Sequence, residues 1–531
     1  MTTTLKDLKM RLLLVRTPTT YFANPGDNLV AKCSVLRAGD TLILNDGTYQ
    51  TTSANHGLRF SSLHGSDLQP ITIKAANDGK AVIDGMAGAN GNYEPILVSD
   101  SSYVTIQGVV VQNSYGSVIY LDGGSGSGLD HIILRRVTAH DAGPGNFHVF
   151  DIESAKMTNV LIEDCAGWGQ GRYIYSVYHA QAANTVTLRR CYAYWQSETA
   201  FTGAPRAAFN VYGAKNVILE NCIGRNCVPS APGSTDYFTA VYQTSDDTTN
   251  FPADNTRILG CLFYDNYEGY WLNNIGGSNT LWKDCYFETP LNSSGYTTQN
   301  QGDAFFVNGN GNPQTIQNCT FRNSVDGFNR GGTLGTITLN NSAFVSNTTG
   351  IHNDPGHSNC GFFGNTSNGT TTGGGDVTAN PLYDTTTYGR GGAIFIASGS
   401  PYKGTGTDGS DIGANILYRY VDGTLTTTPL WPWPMESRVV TELGISPTWE
   451  TNGTGGPWKT LTNVYGPPVT KDAAMRLKLL FVSRRDLSTR LIVLLANTTL
   501  HDVATRIYLY DNRPLFSTLT TRDGSNTLTT R

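Results

Sequence analysis

Asp151 and Glu153, in the phrase FDIES (150–154), are the two carboxylates best spaced for acid–base work. On an extended strand they share one face, about 7 Å apart at about 3.3 Å per residue. Paired carboxyl groups hydrolyse acetals when they stand about 5–5.5 Å apart (retention) or about 6.5–9.5 Å apart (inversion). One of the two must then keep its proton near neutrality through its surroundings. A second set lies in GQGRYIYSVYHA (169–180), where Arg172, Tyr178 and His179 offer bases and a cation. Arg206 is expected to join them on a loop, and His148 is nearby in sequence. These types suit β-elimination, which needs a base and a cation to neutralise a substrate carboxylate. Asp246, Asp247 and Asp254, in SDDTTNFPADN (245–255), are candidates to hold Ca²⁺, although the run lacks the spacing of a recognised calcium loop.

What positions these residues is a repeat. VTIQGV (104–109), IILRRV (132–137), VLIEDC (160–165), VTLRRC (186–191), VILENC (217–222), TRILGC (256–261), TLWKDC (280–285), QTIQNC (314–319) and ITLNNS (337–342) recur at a mean spacing of about 29 residues, in the range of solenoids. Positions 1 and 3 are mostly apolar and position 4 mostly polar, as in a strand with one buried face. A second phrase follows: VIYLD (118–122), FDIES, YSVYH (175–179), FNVYG (209–213), TAVYQ (239–243), YWLNN (270–274) and FFVNG (305–309). Two strand phrases per unit, joined by turns rich in Gly, Asn and Ser, describe parallel strands stacked about 4.8 Å apart.

Stacking turns phrase positions into columns. Six of the nine cysteines fill the sixth position (Cys165, Cys191, Cys222, Cys261, Cys285, Cys319). In single file they read as a buried ladder of soft, small side chains rather than a metal site or a set of disulfides. At the fourth position Arg135, Glu163, Arg189 and Glu220 alternate in sign, as do Arg136, Asp164 and Arg190 at the fifth, so both read as cross-strand ion pairs. On the second strand the expected outward column is Asp122, Glu153, Tyr178, Tyr212, Tyr242, Asn273 and Asn308, with Trp271 two residues before Asn273. Tyrosine faces pack on the CH faces of sugar rings, and acids and amides give directional contacts to hydroxyls, so this strip is a candidate polysaccharide-binding face. Long insertions after Cys191, Cys222 and Cys285 leave beside it, and loops on one edge of a solenoid commonly build its binding surface.

With AGDTLILNDGTYQ (38–50) as a first rung capped by a helix near Asn28–Leu36, and SGSPYKGTGTDGSDIGAN (398–415) as a terminal segment, the chain resembles the right-handed parallel β-helix proteins of the pectate-lyase-like superfamily over about residues 20–465. The resemblance implies an all-β, right-handed parallel β-helix solenoid, and a protein found outside the cell, on its surface or in a virion. It implies either a polysaccharide lyase or glycoside hydrolase, or a non-catalytic adhesive or structural part such as a phage fibre. Homo-oligomers are a further expectation. The NTD, DD and GHG set of polygalacturonase-type hydrolases is not assembled: Asp246–Asp247 is the one adjacent Asp pair on the coil, and GHG does not occur.

Composition narrows the partners. Charged residues are 15% and the net charge is −5, which gives no basic field for nucleic acid. No apolar run reaches the roughly 18 residues of a membrane span, and Leu12–Val15 is too short for a secretory signal. The expected organisation is an extension (1–27), the capped β-helix (28–468) and a small C-terminal β unit (469–531). The WPWP run (431–434) and GPWKTLTNVYGPP (456–468) should lie extended along the outside of the coil. Arg-containing apolar phrases such as MRLKLLFVS (475–483) and TRLIVLLAN (489–497) read as antiparallel strands.

Overall fold

The computed structural model describes residues 16–445 except 53–56, 89–93, 125, 183–185, 198–204, 229–237, 248, 273–277, 290–301, 309–312, 332–334, 370–372 and 386–388, together with 518–520 and 527–529. Contacts divide the chain into Met1–Pro467 and Pro468–Arg531. In the second unit Thr518–Thr520 pairs antiparallel with Thr527–Thr529; the other tail phrases and 456–468 lie outside the described residues.

Each repeat places one strand in each of three long parallel sheets, not the two expected. The first phrase forms one sheet, from Thr20–Ala23 to His357–Ser358, and the second phrase another, from Leu58–Ser61 to Thr349–His352. Short strands directly after the cysteine position, such as Thr138–His140 and Ile223–Arg225, make the third. The first strand, Thr20–Ala23, pairs with Thr41–Leu44, so the coil begins within the segment expected as an extension. Crossovers between parallel strands of one sheet are right-handed, and the molecule is a right-handed parallel β-helix. The helix Leu29–Ser34 closes its first end, with the Asn28 side chain accepting from the Ala31 N–H as an N-cap.

The corner between the first and third sheets explains the fifth phrase position. Gly108, Arg136, Asp164, Arg190, Asn221, Gly260, Asp284, Asn318 and Asn341 all have φ between 50° and 76°. One left-handed residue turns the chain sharply, and Gly, Asn and Asp meet that conformation at least cost. Where Arg136 or Arg190 stands there, ion pairs hold it: Arg136 to Asp78 at 2.6 Å, Arg190 to Asp164 at 2.6 Å and to Glu163 at 2.8 Å. The fourth-position ladder forms as expected, with Arg135–Glu163 at 2.9 Å and Arg189–Glu220 at 2.6 Å.

Inside, the cysteines are buried and free, and Cys222 N–H donates to the Cys261 Sγ of the next coil at 3.3 Å. Phe287, Phe321, Phe344 and Phe362 stack with centroids 5.2, 5.0 and 5.3 Å apart, close to the strand spacing itself. Outside, Trp431 and Trp433 pack on Trp168, Tyr194 and Tyr264 of the third sheet. A helix not foreseen, Glu436–Leu443, follows them. Its Arg438 is buried, bonding Asp78, Glu442 and the Val109 carbonyl. This strap shields the outer aromatic face of the third sheet and leaves the second-phrase sheet as the place for a site.

Candidate active site

Four parallel strands of the second-phrase sheet, Ile119–Asp122, His148–Glu153, Tyr173–Tyr178 and Arg206–Tyr212, bring the chemistry together. Their register sets Tyr120, Asp151, Ser176 and Asn210 side by side, with Asp122, Glu153, Tyr178 and Tyr212 in the next column. His148 and Tyr173 form a third. Period-2 alternation points these residues outward, while Phe150, Ile152, Tyr175, Val177 and Val211 fill the interior.

Over this patch lies a cavity of about 410 Å³. Asp151, Glu153, Arg172, Tyr178, Tyr212 and His148 line it, as do Glu94, Ser117, Tyr120, Asn146, Phe147, Tyr173, Ser176 and Asn210. Ser117 Oγ donates to Asp151 Oδ2 at 2.8 Å, and Tyr120 OH to Glu153 Oε2 at 3.3 Å. Arg172 donates to Asn146 Oδ1 at 2.8 Å and to the Pro205 carbonyl at 3.1 Å, with its guanidinium over the Tyr173 ring.

Electrostatics separate the two acids from ordinary surface carboxylates. Burial, reinforced by Glu153, Glu94 and Asp122 and opposed by the Ser117 hydrogen bond, pushes Asp151 up to about 8. Glu153 is also raised by burial, with the Tyr120 hydrogen bond and the neighbouring His179 working against it. Burial, aided by Arg172, lowers His148 to about 3, so its imidazole is neutral. Tyr173 is held well above the usual phenol range by burial, and Tyr212 rises to about 12 through burial and its hydrogen bond to Asp246.

The remaining expected residues sit around this core. His179 takes φ 57° just beyond the strand, stacks between Tyr178 and Phe251, and pairs with Asp246 at 2.9 Å. Tyr212 OH donates to the same Asp246 at 3.1 Å, so one carboxylate ties both to the rim. Tyr242 is displaced by one pair of residues: Tyr212 pairs with Thr244, and Tyr242 lies beside Asn210 in the Asp151 column. A slip of two keeps every side chain on its face, and Tyr242 packs, buried, near Tyr212, Tyr173 and Phe306. Arg206 arrives on no loop: it opens a strand, is buried, and places its guanidinium over Phe238, away from the cavity. Trp271 pairs with Tyr242 and Phe306 further along the sheet, and Asn308 with Gly331; Asn273 lies outside the described residues. The acids considered for Ca²⁺ are engaged separately. Asp246 binds His179 and Tyr212, Asp247 caps the turn at Thr249 and Asn250, and Asp254 accepts from Ser278. Among the described residues no group of His, Cys, Asp or Glu side chains is arranged to hold a metal ion.

Glu94, Ser117, Asn146 and Phe147 were not singled out from the sequence. The phrase ILVSD (96–100) is the unread signal for Glu94, since Ile96–Ser99 pairs with Ile119–Asp122 and puts Glu94 one coil below Ser117. A second cleft of about 470 Å³ lies beside the capping helix. Its lining holds no carboxylate, Arg37 is engaged with the Ser34 and Leu36 carbonyls, and His64 contacts Ser102. That leaves it no acid–base pair.

No protein-family model and no curated protein matches the chain. Solved structures do. A structure of XylC with xylose aligns over 68% of this chain and 87% of its own, at 11% identity and a TM-score of 0.46. The pectate lyase Pel9A aligns over 75% and 96%, at 14% and 0.39. The GH136 lacto-N-biosidase from Eubacterium ramulus aligns over 68% of each chain, at 12% and 0.40. The three stacked parallel sheets themselves make the first unit of the chain a parallel β-helix.

Proposed function

We propose that the cavity cleaves glycosidic bonds of a polysaccharide by hydrolysis, with Asp151 as general acid and Glu153 as the partner carboxylate, in a protein acting outside the cell. The supporting observation is the pair itself. Asp151 and Glu153 face one cavity from one strand, and the deeper of them keeps its proton at neutral pH. Two residues of strand rise set their backbones about 7 Å apart on one face, a spacing from which side chains reach the carboxyl separations that glycoside hydrolysis uses. Phe147, Tyr178 and Tyr212 give aromatic walls for sugar rings. Elimination is served poorly, because an imidazole as weakly basic as His148 abstracts carbon-bound protons inefficiently.

The test is incubation with a panel of neutral and acidic polysaccharides, reading reducing ends and the ultraviolet absorbance of unsaturated products separately. Hydrolysis predicts new reducing ends without that absorbance, abolished in Asp151→Asn and Glu153→Gln. Unsaturated products would reassign the site to a lyase. Retained binding without cleavage, lost in Tyr212→Ala, would make the protein an adhesive or structural β-helix instead.

A further inference from the structure

The hydrogen-bonding inventory of the cavity narrows its ligand. Buried polar atoms ordinarily find partners, and each exception needs a reason. Three atoms at the floor of this cavity have no hydrogen-bond partner among the described residues: Asn210 Oδ1, His148 Nδ1 and the Tyr173 hydroxyl. The Asn210 amide is fixed by its Nδ2, which donates to Ser176 Oγ at 3.0 Å, so its open atom is an acceptor. The carboxyl groups of Glu94, Asp151 and Glu153 face the same space, the Asp151 one as the acid that carries a proton. The donors are largely engaged already: Ser117 on Asp151, Tyr120 on Glu153, and Arg172 on Asn146 and Pro205. A ligand completing this floor must bring hydrogen-bond donors for Asn210 Oδ1 and the Glu94 and Glu153 carboxylates, and can accept from the Tyr173 hydroxyl and the Asp151 carboxyl.

Sugar hydroxyls both donate and accept, whereas a uronate carboxylate only accepts and adds a negative charge. Arg172 lines the cavity and Arg59 lies 3.6 Å from Glu94, but three carboxyl groups share that lining, and Asp122 stands beside Glu153 in one column. Resting on the carbohydrate reading above, we infer that the site takes an uncharged, hydroxyl-bearing sugar and rejects uronates, with Asn210 as a specificity-determining acceptor.

The experiment is isothermal titration of full-length Asp151→Asn, which cannot turn over, with neutral hexasaccharides (xylan-, mannan-, glucan- and galactan-derived), with galacturonan and alginate hexasaccharides, and with glucosamine oligomers. At pH 7 and low salt a neutral ligand should bind about tenfold or more tightly than any uronate, with the gap narrowing at high salt. Asn210→Ala, checked for native circular dichroism, should weaken the neutral ligand by about tenfold. A uronate or an amino sugar binding as tightly as every neutral ligand overturns the inference and leaves the carbohydrate reading standing. Unchanged neutral-sugar affinity in Asn210→Ala overturns the role of Asn210. Binding of none of these ligands, to the variant or the native protein, overturns the carbohydrate reading and the inference with it.

Discussion

Replacing Asp151 by Asn should make the protein more stable and inactive together, and the two effects share one cause. In the unfolded chain an Asp ionises near about 3.9; in the fold it does so at about 8. Because the folded value is the higher one, its contribution to stability is full below about pH 4 and is lost as pH rises through about 8. At pH 7 the folded chain must keep a proton that the unfolded chain has released, over about three pH units. At about 1.36 kcal/mol per unit this costs about 4 kcal/mol as an upper bound. Solvent reaching Asp151 through the cavity roughly halves it, to about 2 kcal/mol. Asparagine keeps the shape and can accept the Ser117 hydrogen bond through its Oδ1, with no proton to lose. A fold of this size unfolds with about 2.1 cal/mol/K per residue, so Tm at pH 7 should rise by roughly 2 °C. The assay is calorimetry of both proteins from pH 4 to pH 9, beside turnover measurements. The Tm difference should be near zero at pH 4, grow through neutrality and level off above about 8, while kcat falls by about 10²–10⁴-fold. If the two proteins melt together at every pH, burial does not hold the proton on Asp151, and its assignment as the acid falls.

Three further outcomes follow from the same structure. The profile of kcat/KM against pH should fall through about 8 as Asp151 loses its proton, and Glu94→Gln should move that limb to lower pH by removing a charge that raises Asp151. Because all nine cysteines are free and buried, a reductant should leave Tm unchanged, and a thiol reagent should react only after denaturant is added. Glu268 is fully buried, neither of its oxygens has a hydrogen-bond partner among the described residues, and burial and Asp303 raise its ionisation. Glu268→Gln should therefore raise Tm more at pH 9 than at pH 5; an equal shift at both would place the carboxyl in a different environment.

What the sequence revealed and what it hid divide along one line, whether a residue's role rests on parity or on exact register. The cysteine ladder, the Arg135–Glu163–Arg189–Glu220 ladder and the outward direction of Asp151, Glu153, Tyr178 and Tyr212 need only alternation, and each was legible. The third sheet was not, because strands such as Thr138–His140 and Leu262–Tyr264 have three residues each. No period-2 pattern shows over three residues. The left-handed corner was half visible, as Asn, Asp and Gly at one phrase position, and its charged members drew the ion-pair reading instead. Tyr242 was placed one pair wrong because Val211 and Val241 look equivalent, while the inward partner of Val211 is Gln243. Gln243 is a buried amide satisfied by Ala253, Thr280 and Tyr270. Arg206 misled for the opposite reason: an Arg after a long insertion resembles a loop cation, yet it begins a strand and stacks on Phe238.

Two neighbouring sheets of one coil treat charge in opposite ways, and this contrast locates function better than any single residue. On the first sheet Arg135 meets Glu163 and Arg189 meets Glu220 on the next strand, as stable cross-strand pairing requires. On the second-phrase sheet Asp122 stands directly opposite Glu153, and Asp151 lies between Tyr120 and Ser176, with no cation on either adjoining strand of its column; Arg59 stands three strands away in it. Like charges paired across strands are destabilising, and an Asp whose proton is retained at neutral pH weakens the fold further as pH rises. A repeat that only had to stand up would continue the uncharged side chains that adjoining coils carry at these positions, such as Ser99, Tyr120, Ser176, Tyr178 and Asn210. The coil that departs from the pattern is the one that opens onto the cavity, which is where destabilising electrostatics serve acid–base chemistry.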